Sequence, residues 1–573
     1  MRGSRDRELA ARLAESEFFG GLDAHVIERL IADASLRELR GGDVLFRVGD
    51  PAASMGYVLS GCLGVFASPE ACGKPIGRIA AGETVGEMGL ISRRARSATV
   101  VALRDTELLE FPHAAFERLV DTHPRALLVM ARTLIRRLEA SVTREHGSKV
   151  HTVALLPLGG ADATGFAALL AQTLGREDSV WVVGQSEAER PAHFYSELEQ
   201  AHRFVLYRGE AGASGWNAFC ERQADLVLLL ARAEEWPLAL PPPIAGPWRP
   251  RWLIFTHPEG RQRRGILTTE ALSAVERVLH WVEAGDEGRI ARLLAGQAIG
   301  VVFSGGGARG FAHVGMLQAL LEAGLEPDVV GGSSIGAVVA AGWAAGWSPE
   351  EMIERFRSAF VSSNPLGDLT VPFVALTRGK RVSARLREHF GDWQIEDLRR
   401  PFYCVATRLG AGSATVYRTG PLWLALRASI AIPGLLPPVF AEGEVLVDGG
   451  VIDNLPVEAM RALAPGTIIG LEVAGGFRLR SAWDETELPA LPRMVYEWFR
   501  GKRRHDIARI LLRAGMVNSA ASLEAARAKL DLHLKPPLDG IDLLDWRRFD
   551  EIVEVGYRYA QQRLREAQLS RTA

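Results

Sequence analysis

The sequence is short of cysteine, of excess charge and of any long uninterrupted apolar run. Its four cysteines, Cys62, Cys72, Cys220 and Cys404, lie far apart and form no CxxC pair. That spacing excludes a disulfide framework and a cysteine-rich metal site, and it fits a reducing compartment. Lys and Arg number 67 against 69 Asp and Glu, a net charge of −2. So even a balance speaks against a general nucleic-acid binder, and no nucleic-acid partner is expected. The first residues, MRGSRDRELAARLAES, are charged and lack the apolar core of a signal peptide, so none is expected. The most tempting candidate for a membrane span is VVGGSSIGAVVAAGWAAGW, Val329 to Trp347. It opens on glycines and serines and its body is small residues, which suits a strand end, a turn and a tightly packed buried helix better than lipid. Membrane contact is then expected to be peripheral, at the inner face, with the chain in the cytoplasm.

What is present is enough for several cores. A chain of 573 residues with 47% hydrophobic and 24% charged residues reads as globular, with about three or four domains. Residues 19 to 115 alternate short strand-like runs (Asp43–Phe46, Gly56–Leu59, Leu63–Phe66, Thr99–Leu103) with recurring glycines, the spacing of a small β-barrel or sandwich. A helix from Pro124 to about Glu145 is expected to close this first domain, 1–148. From His151 the period changes. Thr152–Leu158, Val180–Val183, Phe204–Tyr207, Asp225–Leu230 and Trp252–Thr256 are short apolar runs separated by helix-like stretches, which predicts an α/β middle domain, 149–265, with a parallel sheet. Its first loop, PLGGADATGF, looks like a phosphate loop but lacks the Gly-Lys-Ser/Thr ending and so has no lysine for β- and γ-phosphates. A structural or partner-binding role is favoured there over an NTPase. A helical connector is expected over 266–296, and a third α/β domain over 297–573, with its core at 299–460 and a last helix from about Phe549 to Arg565.

The chemistry concentrates in that third domain. Gly305-Gly306-Gly307-Ala308-Arg309-Gly310 follows a strand and precedes a helix, so its N–H groups can converge at the positive end of a helix dipole. That geometry suits a phosphate or the oxyanion of acyl transfer. A dinucleotide site would want an acidic residue closing a second strand about 20 residues on, and none is clear. Gly332-Ser333-Ser334-Ile335-Gly336 adds a GxSxG on a strand-to-helix turn, the nucleophile elbow, with Ser334 at its centre. A lone serine there could equally be a helix N-cap. Two glycine-framed strand-to-helix turns close in sequence favour catalysis. The histidines after Ser334 are His389, His505 and His533, and none sits in a glycine-framed loop. Asp448 ends the strand-like Glu444–Val447 and opens Asp448-Gly449-Gly450, where an ordinary Asp-Gly turn is the plain alternative.

GGGARG, GGSSIG, ASIAIPGLLPP (Ala428–Pro438) and DGGVIDNLPV (Asp448–Val457) together resemble the patatin-like phospholipase family. The resemblance implies that Ser334 is the nucleophile, Asp448 the base of a Ser–Asp dyad without histidine, and the 305–310 loop the oxyanion hole. It implies a phospholipid or lysophospholipid substrate and no required cofactor. DGG stands here where many members have DGA. Arg309 is open between orienting the loop and meeting a lipid phosphate.

At the front, Gly86-Glu87-Met88 and Arg96-Ser97-Ala98 resemble the phosphate cassette of cyclic nucleotide-binding domains. By that resemblance Glu87 meets a ribose hydroxyl and Arg96 the cyclic phosphate of cAMP or cGMP, a candidate effector; an Arg fork beside backbone N–H groups suits a phosphodiester. The family's usual proline before this arginine is Ala95 here. The order of the three domains is similar to that of neuropathy target esterase and its lysophospholipase relatives. Their frequent N-terminal membrane span is not carried over. The rival readings are a nucleotide-responsive transcription factor, which would need a helix-turn-helix where a strand-rich segment begins near Thr152, a sensing scaffold with a dead hydrolase domain, and a general esterase or lipase.

Overall fold

The structure is a computed structural model. It describes residues 2–572 apart from 17, 18, 21, 69–74, 124–131, 133, 134, 136–149, 245, 247, 258–261, 263, 266, 372, 442, 465, 475–489, 491 and 493–516. The expected closing helix at 124–145, apart from the helical Arg132 and Ile135, falls outside these residues, as do Cys72 and His505. The chain forms two compact units, 1–259 with 267–278, and 260–266 with 279–573.

The first unit begins with two antiparallel four-stranded sheets. One orders Ser35–Leu39, Thr106–Pro112, Ser54–Ser60 and Thr84–Val85; the other orders Val44–Phe46, Thr99–Ala102, Cys62–Phe66 and Gly77–Ala80. Their facing side chains, among them Leu39, Leu45, Val58, Leu63, Val100 and Leu108, make a small apolar core. This is the expected jelly-roll-like barrel. Next in the unit comes a sheet with parallel strands in the order Val180–Val183, Phe204–Arg208, Thr152–Pro157, Leu226–Arg232 and Arg251–Thr256. Continuous apolar runs suit strands buried on both faces.

Barrel and middle sheet share a buried ionic junction. Asp225, at the foot of Leu226–Arg232, accepts from Arg104 Nη2 at 3.0 Å and from Arg78 Nη1 at 2.7 Å. The backbone N–H groups of His151 and Thr152 donate to the same carboxylate. Burial alone would raise its pKa, but Arg104, Arg78 and the N–H donors hold it well below the usual carboxylate range. Arg104 also pairs with Glu199.

In the second unit, the sheet runs Val439–Ala441, Glu444–Asp448, Phe402–Arg408, Val329–Ser333, Gly300–Phe303, Ile468–Leu471 and Leu532–Leu534, with Ser413–Tyr417 paired to Phe402–Arg408. Its centre is parallel and its Glu444–Asp448 side antiparallel. The final helix, Phe549–Thr572, starts where expected and lies along Ala312–Glu322.

The connector is corrected. The stretch expected to be helical over 266–296 holds a short helix, Thr269–Ser273, then the strand Arg277–Trp281, and only then the helix Asp286–Ala295. Leu272, Val275 and Leu279 imitate a helical stripe, yet RVLHW is β-branched and aromatic and takes the extended form.

Candidate active site

Two strand ends and three loops build the site. Val329–Ser333 delivers Ser334 at the turn into the helix Ile335–Ala344. Ser334 has φ 54° and ψ −130°, left-handed backbone that a side chain adopts only when its surroundings enforce it. The enforcement is steric. A Cβ on Gly336 would lie 2.4 Å from Phe303 O, so the turn packs directly on the end of the neighbouring strand. Gly332 and Gly336 are therefore both needed, while Ser333 and Ile335 are buried beside them. The N–H of Ser334 donates to Ser429 Oγ at 3.0 Å.

Glu444–Asp448 runs antiparallel to Phe402–Arg408, and Asp448 pairs in register with Ala406. Its Oδ2 accepts from Ser334 Oγ at 2.6 Å, and its Oδ1 accepts the N–H of Gly450 at 2.8 Å. Residues 114 apart in sequence thus meet as one pair. A side chain on Gly449 would strike Val405 O at 2.2 Å, which keeps this corner free of a Cβ. Burial pushes the Asp448 carboxyl up to about 6; the hydrogen bonds from Ser334 and Gly450 pull the other way. A carboxylate of that kind is a better proton acceptor than one in water.

The 305–310 loop lies against this pair. A Cβ on Gly305 would come within 3.0 Å of Ser334 Cβ. Gly305 N–H donates to Asn454 O, and Ala308 N–H to Leu543 O at 2.7 Å. Among the described residues, the N–H groups of Gly306 and Gly307 meet no acceptor. Gly307 has φ +56° and no room for a Cβ, since Leu543 O would be 2.3 Å away. Gly310 packs on Ile335. Arg309 Nε donates to Ile541 O at 2.8 Å, which ties the loop to the segment before the last helix.

Ser334 and Gly307 open on a cavity of about 840 Å³, its open mouth included. The walls are apolar: Ile335, Val338, Phe356, Phe360, Leu386, Phe390, Leu435 and Trp546 are among them. The polar liners besides Ser334 are Arg355, Arg385 and His389, and Arg355 lies over the Trp347 ring. No hydrogen bond joins His389 to Ser334 or Asp448 among the described residues, and His533 is paired with Glu472.

Three contributors have a role that no sequence motif announces. Ser429 sits in the quoted ASIAIPG and Asn454 in the quoted DGGVIDNLP, so their signal was present without a role attached. His313 donates through Nε2 to Ser304 O at 2.8 Å behind the glycine loop, and burial lowers its pKa to about 4, so it is neutral.

The cassette of the barrel is arranged differently. Gly86 is left-handed at φ +84°, Glu87 is buried, and Met88 and Ser97 are exposed, with Ala98 half-buried. Arg96 is buried, but its two terminal nitrogens donate to Gly86 O at 2.8 Å and Ser54 O at 2.6 Å. Its guanidinium also lies 4.0 Å over the Phe46 ring. In the middle domain, Gly160 N–H donates to Glu235 Oε2 at 2.7 Å, so a carboxylate holds the place a phosphate would need.

Residues 301–461 match the patatin-like phospholipases, 36–123 the cyclic nucleotide-binding domain, and 151–239 the neuropathy target esterase family P-loop like domain. The elbow, the paired aspartate and the glycine loop on a mostly parallel sheet accordingly belong to a patatin-like phospholipase domain. The two stretches before it match the cyclic nucleotide-binding domain and the P-loop like domain of the neuropathy target esterase family, in that order. The chain is 28% identical to lysophospholipase nte1 of Aspergillus fumigatus, covering 92% of this chain and 41% of that protein. It is 27% identical to patatin-like phospholipase domain-containing protein 6 of Homo sapiens, covering 91% and 44%. Lysophospholipase nte1 of Neurospora crassa is 28% identical over 92% and 42%. The chain spans less than half the length of these curated relatives.

Proposed function

We propose that this chain is a serine ester hydrolase that releases fatty acid from lysophospholipid or phospholipid. The observation that carries this is the 2.6 Å hydrogen bond from Ser334 Oγ to Asp448 Oδ2 at the floor of an apolar cavity. Asp448 accepts the hydroxyl proton as Ser334 attacks the ester carbonyl. The tetrahedral oxyanion is held by the Gly306 and Gly307 N–H groups. Collapse expels the alcohol half of the ester, which takes the proton from Asp448 and leaves an acyl-serine. Water then attacks the acyl-serine, again giving its proton to Asp448, and fatty acid departs while Ser334 regains its hydrogen. The apolar walls suit an acyl chain. The scheme needs no cofactor. The names of the relatives, lysophospholipases among them, support the substrate class.

Cyclic nucleotide, cAMP or cGMP, is the candidate effector at the barrel. To take its phosphate, Arg96 must release Gly86 O and Ser54 O, so binding is expected to be weak. The deciding experiment measures fatty-acid release from lysophosphatidylcholine and from phosphatidylcholine, with wild type and Ser334→Ala, with and without each nucleotide. Release that persists in Ser334→Ala would remove the nucleophile assignment. Activity confined to short soluble esters would point to a general carboxylesterase or lipase, and none on any ester to a scaffold.

A further inference from the structure

One segment of the hydrolase unit is built against the ordinary rule for side chains in water. Leu369, Val371, Phe373 and Val374 are 71%, 65%, 92% and 64% exposed, within a span of six residues. They do not hang on a loose tail. Leu369 and Thr377 form an antiparallel bridge, Thr370 N–H donates to Leu376 O at 3.0 Å, and Arg378 N–H donates to Asp368 O at 2.9 Å. The hairpin so closed is fixed to the cavity wall. Leu376 N–H donates to Gly434 O and Thr377 N–H to Leu435 O, and Leu435 lines the cavity. On the other side the chain enters the hairpin directly from Pro365 and Leu366, which line it too. The tip is therefore an apolar finger joined to the cavity lining at both of its ends.

Charge identifies what it meets. Arg378, Lys380 and Arg381 follow the finger and are exposed. The carboxylate beside them, Asp368, accepts the N–H groups of Lys380 and Arg381 at 2.8 and 3.2 Å, so it serves as a cap for the helix Lys380–Phe390. Large apolar side chains projecting past a collar of cations match the boundary between acyl chains and anionic headgroups. Four side chains on one hairpin are too small a surface for a stable protein–protein interface.

We propose that the hairpin Leu369–Thr377 is a lipid-surface anchor, which inserts Leu369, Val371, Phe373 and Val374 into an anionic leaflet with Arg378, Lys380 and Arg381 at the headgroups. It rests on the ester-hydrolase reading only for the purpose of docking, which is to bring the cavity wall to the layer that holds the substrate.

The test is sedimentation of the full chain with vesicles of phosphatidylcholine alone and of phosphatidylcholine mixed with phosphatidylglycerol. Wild type and Ser334→Ala are expected to bind the anionic vesicles alike. The double variant Phe373→Asp with Val374→Asp is expected to lose about a hundredfold in partitioning. Arg378→Glu with Lys380→Glu is expected to lose roughly tenfold or more, on anionic vesicles only. Unfolding temperatures near wild type show that the exposed substitutions leave the fold intact. Binding by the double aspartate variant equal to wild type would overturn the proposal. So would equal binding to neutral and anionic vesicles, or a wild-type dimer that the double variant dissolves. Hydrolysis of a soluble short-chain ester by wild type but not Ser334→Ala is measured separately, so failure of the chemistry and failure of docking are told apart.

Discussion

Three glycine-framed loops in this chain look alike in sequence and differ in what fills them. At Gly86–Arg96 the cationic fork is spent on two backbone carbonyls and an aromatic face. At Gly159–Gly160 the loop N–H is spent on Glu235. At Gly305–Gly310 two N–H groups stay uncommitted beside a serine already bonded to a carboxylate. The first two are satisfied from within. The third is a site held ready, with the strain of Ser334 and the burial of Asp448 left standing as part of it. Stored strain and a buried acid held above its ordinary pKa mark readiness better than the motif does.

The sharpest way to break this contrast is at the ready site. Ser334→Ala and Asp448→Asn are each expected to lower fatty-acid release by roughly 10³-fold or more. A near-normal Asp448→Asn rate would dissolve the dyad while sparing the serine. Gly307→Ala comes next. Its methyl group would meet Leu543 O, and displacement of the loop N–H groups is expected to reduce kcat about 10²-fold.

A third prediction concerns pH. The Asp448 carboxyl sits at about 6 because of burial, so kcat/KM should climb as pH rises through 6 and then level. Stability moves the opposite way. The folded value lies above the ordinary 3.8, so the folded chain holds this proton more tightly. That stabilisation is whole below about pH 4 and gone once pH has risen past 6. Asp448→Asn is therefore expected to be more stable than wild type at pH 7.5, by up to about 3 kcal/mol and with a higher unfolding temperature, and to lose that advantage at pH 4. A rate profile flat between pH 5 and 8 would contradict the burial argument.

The smallest effect is expected at the filled cassette. Saturating cAMP or cGMP should raise the unfolding temperature of wild type by a few degrees at most, and Arg96→Ala should abolish the shift. A large shift would mean that the Arg96 contacts to Gly86 and Ser54 open easily, and would bring the cassette closer to the active site in character.

Much of this is legible in the sequence itself. GxGxxG, GxSxG and DGG each encode a local backbone demand, so residues 305–310, 332–336 and 448–450 could be named from the sequence, and strand runs such as Val329–Ser333 follow from their apolar continuity. What could not be read depends on contacts between distant residues. Glu235 stands 75 residues from Gly160, and Ser429 stands 95 from Ser334. No local pattern announces that Arg96 will turn to Ser54, 42 residues away. The strand Arg277–Trp281 was hidden because its apolar residues also fit a helical spacing. The apolar finger at Leu369–Thr377 has the composition of a buried strand, and only its exposure sets it apart.

The buried junction at Asp225 carries a consequence for how such chains could be rebuilt over evolutionary time. Its two arginines, Arg78 and Arg104, both belong to the barrel, while the aspartate belongs to the middle sheet. Losing both arginines while the barrel stays in place would leave a buried carboxylate without its two hydrogen-bonded cations, an error costing about 3–5 kcal/mol. Arg78, Arg104 and Asp225 are thus expected to change together. In kin that keep the barrel but carry neutral residues at the positions of Arg78 and Arg104, the position matching Asp225 should be neutral too, and an aspartate there would mean that another cation had moved in first.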